Sequence, residues 1–450
     1  MDRFVNRMNE LALLDRIAGS DRRELLVVYG RRRLGKTALL RRFGRDRPMM
    51  FFSCPLSTAP EALRLFTREL ARTFDDPLLT RTQFSGWSEA VEYALEACGR
   101  EGRPLVLDEL PYLQHSVPGI ESLLQHGWDG HDGAAKLVLT GSSFSVLDAA
   151  VADPRAPLYG RRTAQLEVQP MSFAEVSDFY PGWSFDDRAV AYGLFGGVPA
   201  YAEQVSRHPS PRDAALALAL SPTGPLHTEP EFLVREELRD PGVYFSILHS
   251  LAAGMTRPNQ IAQDAGVPGP STSKYLDVLR RMRLVHREVP VTEARPERSR
   301  KGLYRLSDPF LRFWFRYVYP NRSALEAGVG HEVLETVVLP DLDTFMGLPY
   351  EEICRQHLIA EGPQVLGWRP VRVGRYWDAR TEIDLIAVDA TGDRVGFVEC
   401  KWGRNVDVAR AVRRLREKAR AVTPFAAASH RYLVISRTDT DDEHHVRLAP

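Results

Sequence analysis

The sequence predicts a mixed α/β chain of several domains. A parallel-sheet domain comes first, then a helical stretch, a compact block of short helices, and an α+β unit at the C-terminal end. Three observations carry this reading. Strand-like and helix-like patterns alternate over residues 1–170, the rhythm of βαβ units. An apolar strand, a glycine loop and an amphipathic helix follow one another within residues 25–43. After about residue 321, short strand-like runs return at 371–376, 382–388, 394–401 and 431–436. A chain of 450 residues suffices for two to four domains, each with its own core.

The first strand, Leu25–Tyr29, runs into Gly30-Arg31-Arg32-Arg33-Leu34-Gly35-Lys36-Thr37, a G-x-x-x-x-G-K-T loop that opens the helix beginning near Gly35. Glycines let backbone N–H groups turn inward around a phosphate, and the helix N-terminus adds positive potential. Gly30, Leu34, Gly35 and Ala38 would form the cradle, with Arg31, Arg32 and Arg33 adding charge. Lys36 would reach the β- and γ-phosphates, and the Thr37 hydroxyl would hold Mg²⁺. ATP and Mg²⁺ are therefore the expected ligands.

Met49–Ser53, Pro104–Leu107 and Lys136–Thr140 are the next strand candidates. The third strand ends in Asp108 and Glu109, about seventy residues after Lys36. Asp108 fits the carboxylate that orders Mg²⁺, and Glu109 the base that polarises the attacking water. Thr140, Ser142 and Ser143 follow the fourth strand. One of them would sit between the strands as a γ-phosphate sensor, or the segment is a plain turn.

Composition excludes several classes. Hydrophobic residues make up 44 % and charged residues 26 %, as in ordinary globular proteins. Net charge is zero, so the chain is not basic throughout. Four scattered cysteines, with no C-x-x-C and no matching histidine spacing, suggest a reducing compartment. The first residues lack the apolar core of a secretory signal, and no apolar run approaches the roughly 18 residues of a membrane span. A cytoplasmic location without membrane contact is expected.

Residues 171–240 read as a helical lid, with helical runs at Asp187–Gly193 and Asp213–Leu220 and a break at Gly196–Tyr201. Within 241–320, three helices are expected at Pro241–Gly254, Pro258–Gly266 and Ser271–Arg281. They lead into a hairpin of Val285–Pro290 and Gly302–Leu306 around an exposed basic loop, Pro290–Arg300. This is a winged helix-turn-helix layout. From Ser271 to Arg316 there are twelve Lys/Arg and five Asp/Glu, an excess that DNA phosphates would explain. A packing or protein-contact role is the other reading. The aromatic run Ser307–Tyr317 suits a core or docking helix better than a base-stacking platform.

In residues 321–450, Glu382–Val388 and Arg394–Trp402 look like adjacent strands. Glu399 and Lys401, two apart, leave the same face, and Asp384 on the neighbouring strand would meet them. Two carboxylates would hold Mg²⁺ while the lysine orients a water against a phosphodiester. A surface charge cluster, or a nucleic-acid-binding fold that does not cleave, fits the same residues.

These boxes together carry a resemblance. Phe4-Val-Asn-Arg7-Met-Asn-Glu10, the glycine loop, Asp108-Glu109, Leu139–Ser143, Gly160-Arg161-Arg162 and Gly196–Tyr201 resemble, in this order, the archaeal-type ATPases, a branch of the AAA+/STAND P-loop ATPases. The resemblance implies an AAA+-like sheet, Arg7 and Glu10 near the adenine, and Arg161 or Arg162 presented to the γ-phosphate in cis or from a neighbouring subunit of a homo-oligomer. Residues 321–450 resemble the DUF234 domain and, more broadly, the PD-(D/E)xK restriction-endonuclease-like fold. That implies a site role for Glu351, or for its neighbour Glu352, beside Asp384, Glu399 and Lys401. The expected whole is an ATPase controlling DNA binding or cleavage. The alternative is a STAND-type regulatory switch with an inactive nucleic-acid- or protein-binding C-terminal domain.

Overall fold

The computed structural model describes residues 4–130, 133–141, 156–238 and 240–448. The chain forms two compact units that divide between Pro170 and Met171. The expected boundaries near 240 and 320 fall inside the second of these.

The first unit is a five-stranded parallel sheet in the order β2-β3-β4-β1-β5. Its strands are β1 Glu24–Tyr29, β2 Met50–Ser53, β3 Pro104–Asp108, β4 Lys136–Gly141 and β5 Ala164–Glu167. The three central strands are almost wholly buried apolar runs, as strands covered on both faces must be. Leu25, Val27 and Tyr29 face a core built with α3 (Ala59–Phe74), α4 (Trp87–Glu101), α5 (Leu110–Ser116) and α6 (Ile120–Asp129). Leu26 and Val28, equally buried, point to the opposite face. The remaining helices of this unit that concern the site are α1 (Met8–Ala18) and α2 (Lys36–Phe43).

This strand order inserts β4 between β1 and β3. Thr140, next to last in β4, therefore lies between the loop after β1 and the acids after β3. Short β5 has no apolar run, its burial being intermediate and exposed, so periodicity gives no sign of it. It nevertheless seals the edge of β1, and Val168 N–H donates to the Tyr29 carbonyl at 2.8 Å.

The second unit starts with five helices, Phe173–Ser177 through Glu229–Glu237. The break after the second is confined to Gly196–Val198, because a new helix starts at Pro199. Three helices follow, Pro241–Ala252, Pro258–Asp264 and Gly269–Arg281, and then the antiparallel hairpin of β6 (Val285–Glu288) and β7 (Leu303–Leu306). The loop between these strands is less exposed than its composition predicts. Val291 N–H donates to the Arg375 carbonyl at 2.9 Å, and Pro290 is buried.

The aromatic run is core. Phe310, Phe313, Trp314, Phe315 and Tyr317 are all buried, and the Trp314 indole N–H donates to the His227 carbonyl at 2.6 Å. The basic excess from Ser271 to Arg316 shrinks accordingly. Arg312 is enclosed, Arg316 pairs with Asp341, Arg305 with Glu288 and Lys301 with Glu293.

A long helix, Leu339–Leu366, then packs on a mixed sheet ordered β12-β11-β10-β9-β8. Its strands are β8 Arg372–Trp377, β9 Glu382–Val388, β10 Arg394–Lys401, β11 Ser429–Ser436 and β12 His445–Arg447. The helix Val408–Arg420 makes the crossover between parallel strands β10 and β11. Among the described residues, no helix is long and apolar enough to cross a membrane.

Candidate functional site

The loop after β1 takes its shape from two glycines. Gly30 has φ +149°, and a Cβ there would lie 2.4 Å from the Val168 carbonyl oxygen, so β5 leaves room only for glycine. Gly35, with φ +87°, caps α2 in the left-handed region. Lys36, 5 % exposed, donates from Nζ to the Gly30 carbonyl at 2.8 Å and to the Arg31 carbonyl at 3.4 Å. Its ammonium lies 3.8 Å from Glu109 Oε1.

Asp108 is 1 % exposed at the end of β3. Its Oδ2 accepts from the Thr37 hydroxyl at 2.8 Å, and its Oδ1 from the Thr140 hydroxyl at 2.6 Å. Thr140 Oγ1 in turn accepts the Glu109 backbone N–H at 3.1 Å. One hydroxyl on β4 thus positions both acids at once. Glu109 sits at φ +55°, the left-handed turn that swings its carboxylate towards Lys36. The nearby Cys54 thiol is pushed well above its ordinary pKa by burial and by the charges of Asp108 and Glu109. It is held as a neutral thiol.

These groups border a cavity of about 490 Å³, lined by Gly35, Lys36, Thr37, Ala38, Arg32, Arg33 and Glu109. Phe4, from the first box of the resemblance, lines it too, as do Arg41, Arg42, Arg45 and Tyr112, which sequence reasoning does not single out. Tyr112 accepts a hydrogen bond from Arg32 at 2.6 Å, so α5 steadies one loop arginine. The helical spacing of Arg41 and Arg45 on and after α2 was the available signal for the basic rim.

Two expected residues occupy other places. Arg7, 5 % exposed, is used behind the loop: it pairs with Glu10 at 2.8 Å and donates to the carbonyls of Leu34 at 3.2 Å and Gln169 at 2.7 Å. It braces the loop against β5 and does not line the cavity. Leu34 is buried beneath it, while Arg31 contributes its carbonyl to Lys36. Arg161 precedes β5, at the opposite end of the parallel strands from the Gly30 loop. It is clamped by both Asp129 oxygens at 2.6 and 2.7 Å, so the cis contact to a γ-phosphate is not what this unit provides. Ser142 and Ser143 lie outside the described residues.

The residues at the loop fit a magnesium nucleotide. A buried ammonium is parked on backbone carbonyls, a glycine cradle admits no Cβ at Gly30, and a hard oxygen pair (Thr37 hydroxyl, Asp108 carboxylate) suits Mg²⁺.

In the second unit, β9, β10 and the helix Leu339–Leu366 gather the other expected acids. Asp384 Oδ2 accepts the Cys400 N–H at 2.8 Å. Burial, with the Glu399 charge adding to it, raises Asp384 above the usual carboxylate range. Glu399 Oε1 lies 2.6 Å from Lys401 Nζ and Oε2 3.1 Å from Lys418 Nζ. Burial works upward on Glu399, but the two lysines outweigh it and hold it below the usual range.

Glu351 pairs with Arg375 at 2.5 Å, and Arg375 also engages Glu382. Burial pushes Glu351 up to about 7, against the pull of Arg375 and with Asp384 adding. Glu352 turns instead to Arg355 and Gln356. Among the described residues, no group of three or more His, Cys, Asp or Glu is arranged to hold a metal ion. Both Glu399 oxygens are taken by ammonium groups, so Mg²⁺ does not fit this arrangement.

Comparison with known proteins agrees with an ATPase domain in the first unit. Residues 4–205 match the family described as an ATPase domain predominantly from Archaea. Residues 314–414 match DUF234, described as archaeal and bacterial proteins of unknown function. An uncharacterised protein of Methanocaldococcus jannaschii, MJECL04, is 29 % identical over 425 residues, covering 93 % of this chain and 92 % of that protein. The uncharacterised ATP-binding protein MJ0423 of the same organism is 48 % identical over 40 residues, 9 % of this chain and 68 % of its own length. The Walker-type ATPase PABY2304 of Pyrococcus abyssi shares the fold at TM-score 0.55 and 21 % identity, covering 70 % of this chain and 97 % of that one. Residues 4–205 are thus an ATPase domain of the predominantly archaeal type, and residues 314–414 a DUF234 region.

Proposed function

We propose that the N-terminal unit binds ATP with Mg²⁺ and hydrolyses it, and that its nucleotide state governs DNA contact by the second unit. The carrying observation is the chain Thr37–Asp108–Thr140–Glu109, which fixes a metal-ordering acid and a water-orienting acid beside one buried lysine. In this reading Lys36 exchanges the Gly30 carbonyl for phosphate oxygens, and Thr37 and Asp108 hold the ion. Bound Mg²⁺ would neutralise charge on the β- and γ-phosphates. Glu109 accepts a hydrogen bond from the attacking water and takes its proton, while Thr140 keeps it in place. Arg32 and Arg33 supply potential at the cavity mouth.

Glu109→Gln keeps the shape and loses the base. The expected outcome is nucleotide affinity within a few-fold of the parent and turnover slowed by about 10²-fold or more. Turnover within a factor of two of the parent defeats the assignment.

DNA contact is placed on the three helices and hairpin of residues 241–306, a winged-helix arrangement. The exposed Lys274 and the loop arginines Arg295, Arg298 and Arg300 support it. For the DUF234 domain the paired state of Glu399 favours binding without cleavage, the regulatory reading. Incubation of the full chain with plasmid, ATP and Mg²⁺ or Mn²⁺ tests this. Plasmid left intact is expected, and cleavage lost on Asp384→Ala and on Lys401→Ala would establish the nuclease instead. The four free cysteines, all buried, suit a reducing cytoplasm.

A further inference from the structure

The helix Val408–Arg420 buries Val408, Val412, Leu415 and Ala419 against the C-terminal sheet. That spacing leaves Arg410, Arg413, Arg414, Arg416, Glu417 and Arg420 on the outside. Six of its thirteen residues are Lys or Arg and one is acidic, in a chain that is neutral overall. Two of the six have structural partners. Lys418 holds Glu399, and Arg416 lies over the Tyr432 ring at 5.4 Å. Arg410, Arg413, Arg414 and Arg420 have no acidic partner among the described residues.

Such a face works against its own helix. Arg410 is three and four residues from Arg413 and Arg414, and like charges so placed repel. Arg410 also stands in the first turn, where the helix dipole disfavours a cation. A helix face meant only for solvent interleaves the two signs, and here Glu417 is the sole interruption. A polyanionic partner accounts for the imbalance.

We propose that this face docks the sugar–phosphate backbone of double-stranded DNA. From Arg410 to Arg420 the helix rises about 15 Å, the reach of several phosphates on a duplex with one charge per roughly 1.7 Å of axis. The outward face offers arginines, an alanine and a glutamate, but no aromatic ring. A single strand, which binds by stacking its bases, finds no platform there. The contact reads charge and shape, not sequence. It shares the DNA partner with the proposed function but depends neither on the hairpin nor on cleavage.

The test is fluorescence anisotropy of the full chain with a labelled duplex of about 20 base pairs, titrated between roughly 50 and 200 mM salt. The variant carries Arg410→Gln, Arg413→Gln, Arg414→Gln and Arg420→Gln, all exposed, and circular dichroism checks its fold. At fixed salt it is expected to bind at least about tenfold more weakly, with the slope of log K against log salt reduced by about three to four. Unchanged affinity and slope overturn the inference. A second variant, Arg295→Gln with Arg298→Gln and Arg300→Gln, separates the two surfaces. If only that variant loses binding, the helix inference falls and the proposed function stands; if the parent binds no duplex, both fall. Tighter binding of an RNA duplex, lost with the same arginines, overturns the choice of DNA.

Discussion

Replacing Arg7 by methionine should unfold the N-terminal unit more readily even with no nucleotide present. The guanidinium is buried and makes three charge-assisted contacts, to Glu10, to the Leu34 carbonyl and to the Gln169 carbonyl. Each such bond is worth about 1.5–3 kcal/mol net, but they share one donor group and do not add fully. Methionine fills most of the volume, so the loss comes from two stranded carbonyls and one unpaired carboxylate. Breaking a buried pair of this kind costs about 3–5 kcal/mol. For a unit of 170 residues, each kcal/mol moves Tm by about 2–4 °C, so a drop on the order of 10 °C is expected. Arg7→Lys should recover little of it, because a compact ammonium lacks the spread by which one guanidinium nitrogen serves Glu10 and the other the Leu34 and Gln169 carbonyls. Differential scanning calorimetry of the nucleotide-free chain reads this directly. A Tm within about 2 °C of the parent, with a large loss of nucleotide affinity, would refute the bracing role and return Arg7 to the adenine.

Lys36→Ala should abolish detectable ATP binding in calorimetric titration, and tight binding by that variant would overturn the loop assignment. Thr140→Val removes one hydroxyl without changing shape, stranding the Glu109 N–H and one Asp108 oxygen. A destabilisation of about 1–3 kcal/mol with slower hydrolysis is expected, and parent-like values for both would contradict the positioning role. Glu351 titrates near 7 in the folded chain against an ordinary 4.5, so its proton is held more tightly when folded. That stability is complete below about pH 4.5 and is lost as pH rises through about 7, by up to about 3 kcal/mol. Urea midpoints at pH 5 and pH 8 should differ less in Glu351→Gln than in the parent, and an equal difference would remove Glu351 as the cause.

Much of the first unit was legible because its signals are local. A strand, a glycine loop and a helix follow one another in nineteen residues, and four of the five strands are apolar runs. Asp108 and Glu109 were legible for the same reason. What escaped is whatever depends on contacts distant in sequence. β5 has no apolar run, yet the two residues after it, Val168 and Gln169, decide that position 30 must be glycine and give Arg7 a second anchor. Arg7 is separated from Gln169 by 162 residues, and no local pattern announces such a pair. Arg161 shows the converse for the cis reading alone. Its motif suggests an arginine for phosphate in cis or from a neighbouring subunit, and only strand direction reveals that it lies at the opposite end of its own sheet from the Gly30 loop. In the C-terminal sheet four strands were legible as short strand-like runs and β12 was not, whereas Lys418 sits on a helix seventeen residues beyond Lys401 and meets Glu399 only through the crossover.

The two acid sites, so alike as residue lists, surround their carboxylates differently. Asp108 is held by two neutral hydroxyls, which orient its charge but do not cancel it. Close by, a second carboxylate, Glu109, stands against one ammonium at 3.8 Å, so the acids retain negative potential that a divalent cation can satisfy. At the second site Asp384 is driven towards its neutral form, while Glu399 faces two ammonium groups. Two ammonium groups thus stand on the one carboxylate of this pair that is held below its usual range. A metal ion entering there must displace a lysine and be repelled by the other, whereas a phosphate meets charges already in place. The donor set at the first site therefore suits magnesium, whereas at the second a cation would compete with Lys401 and Lys418 for Glu399.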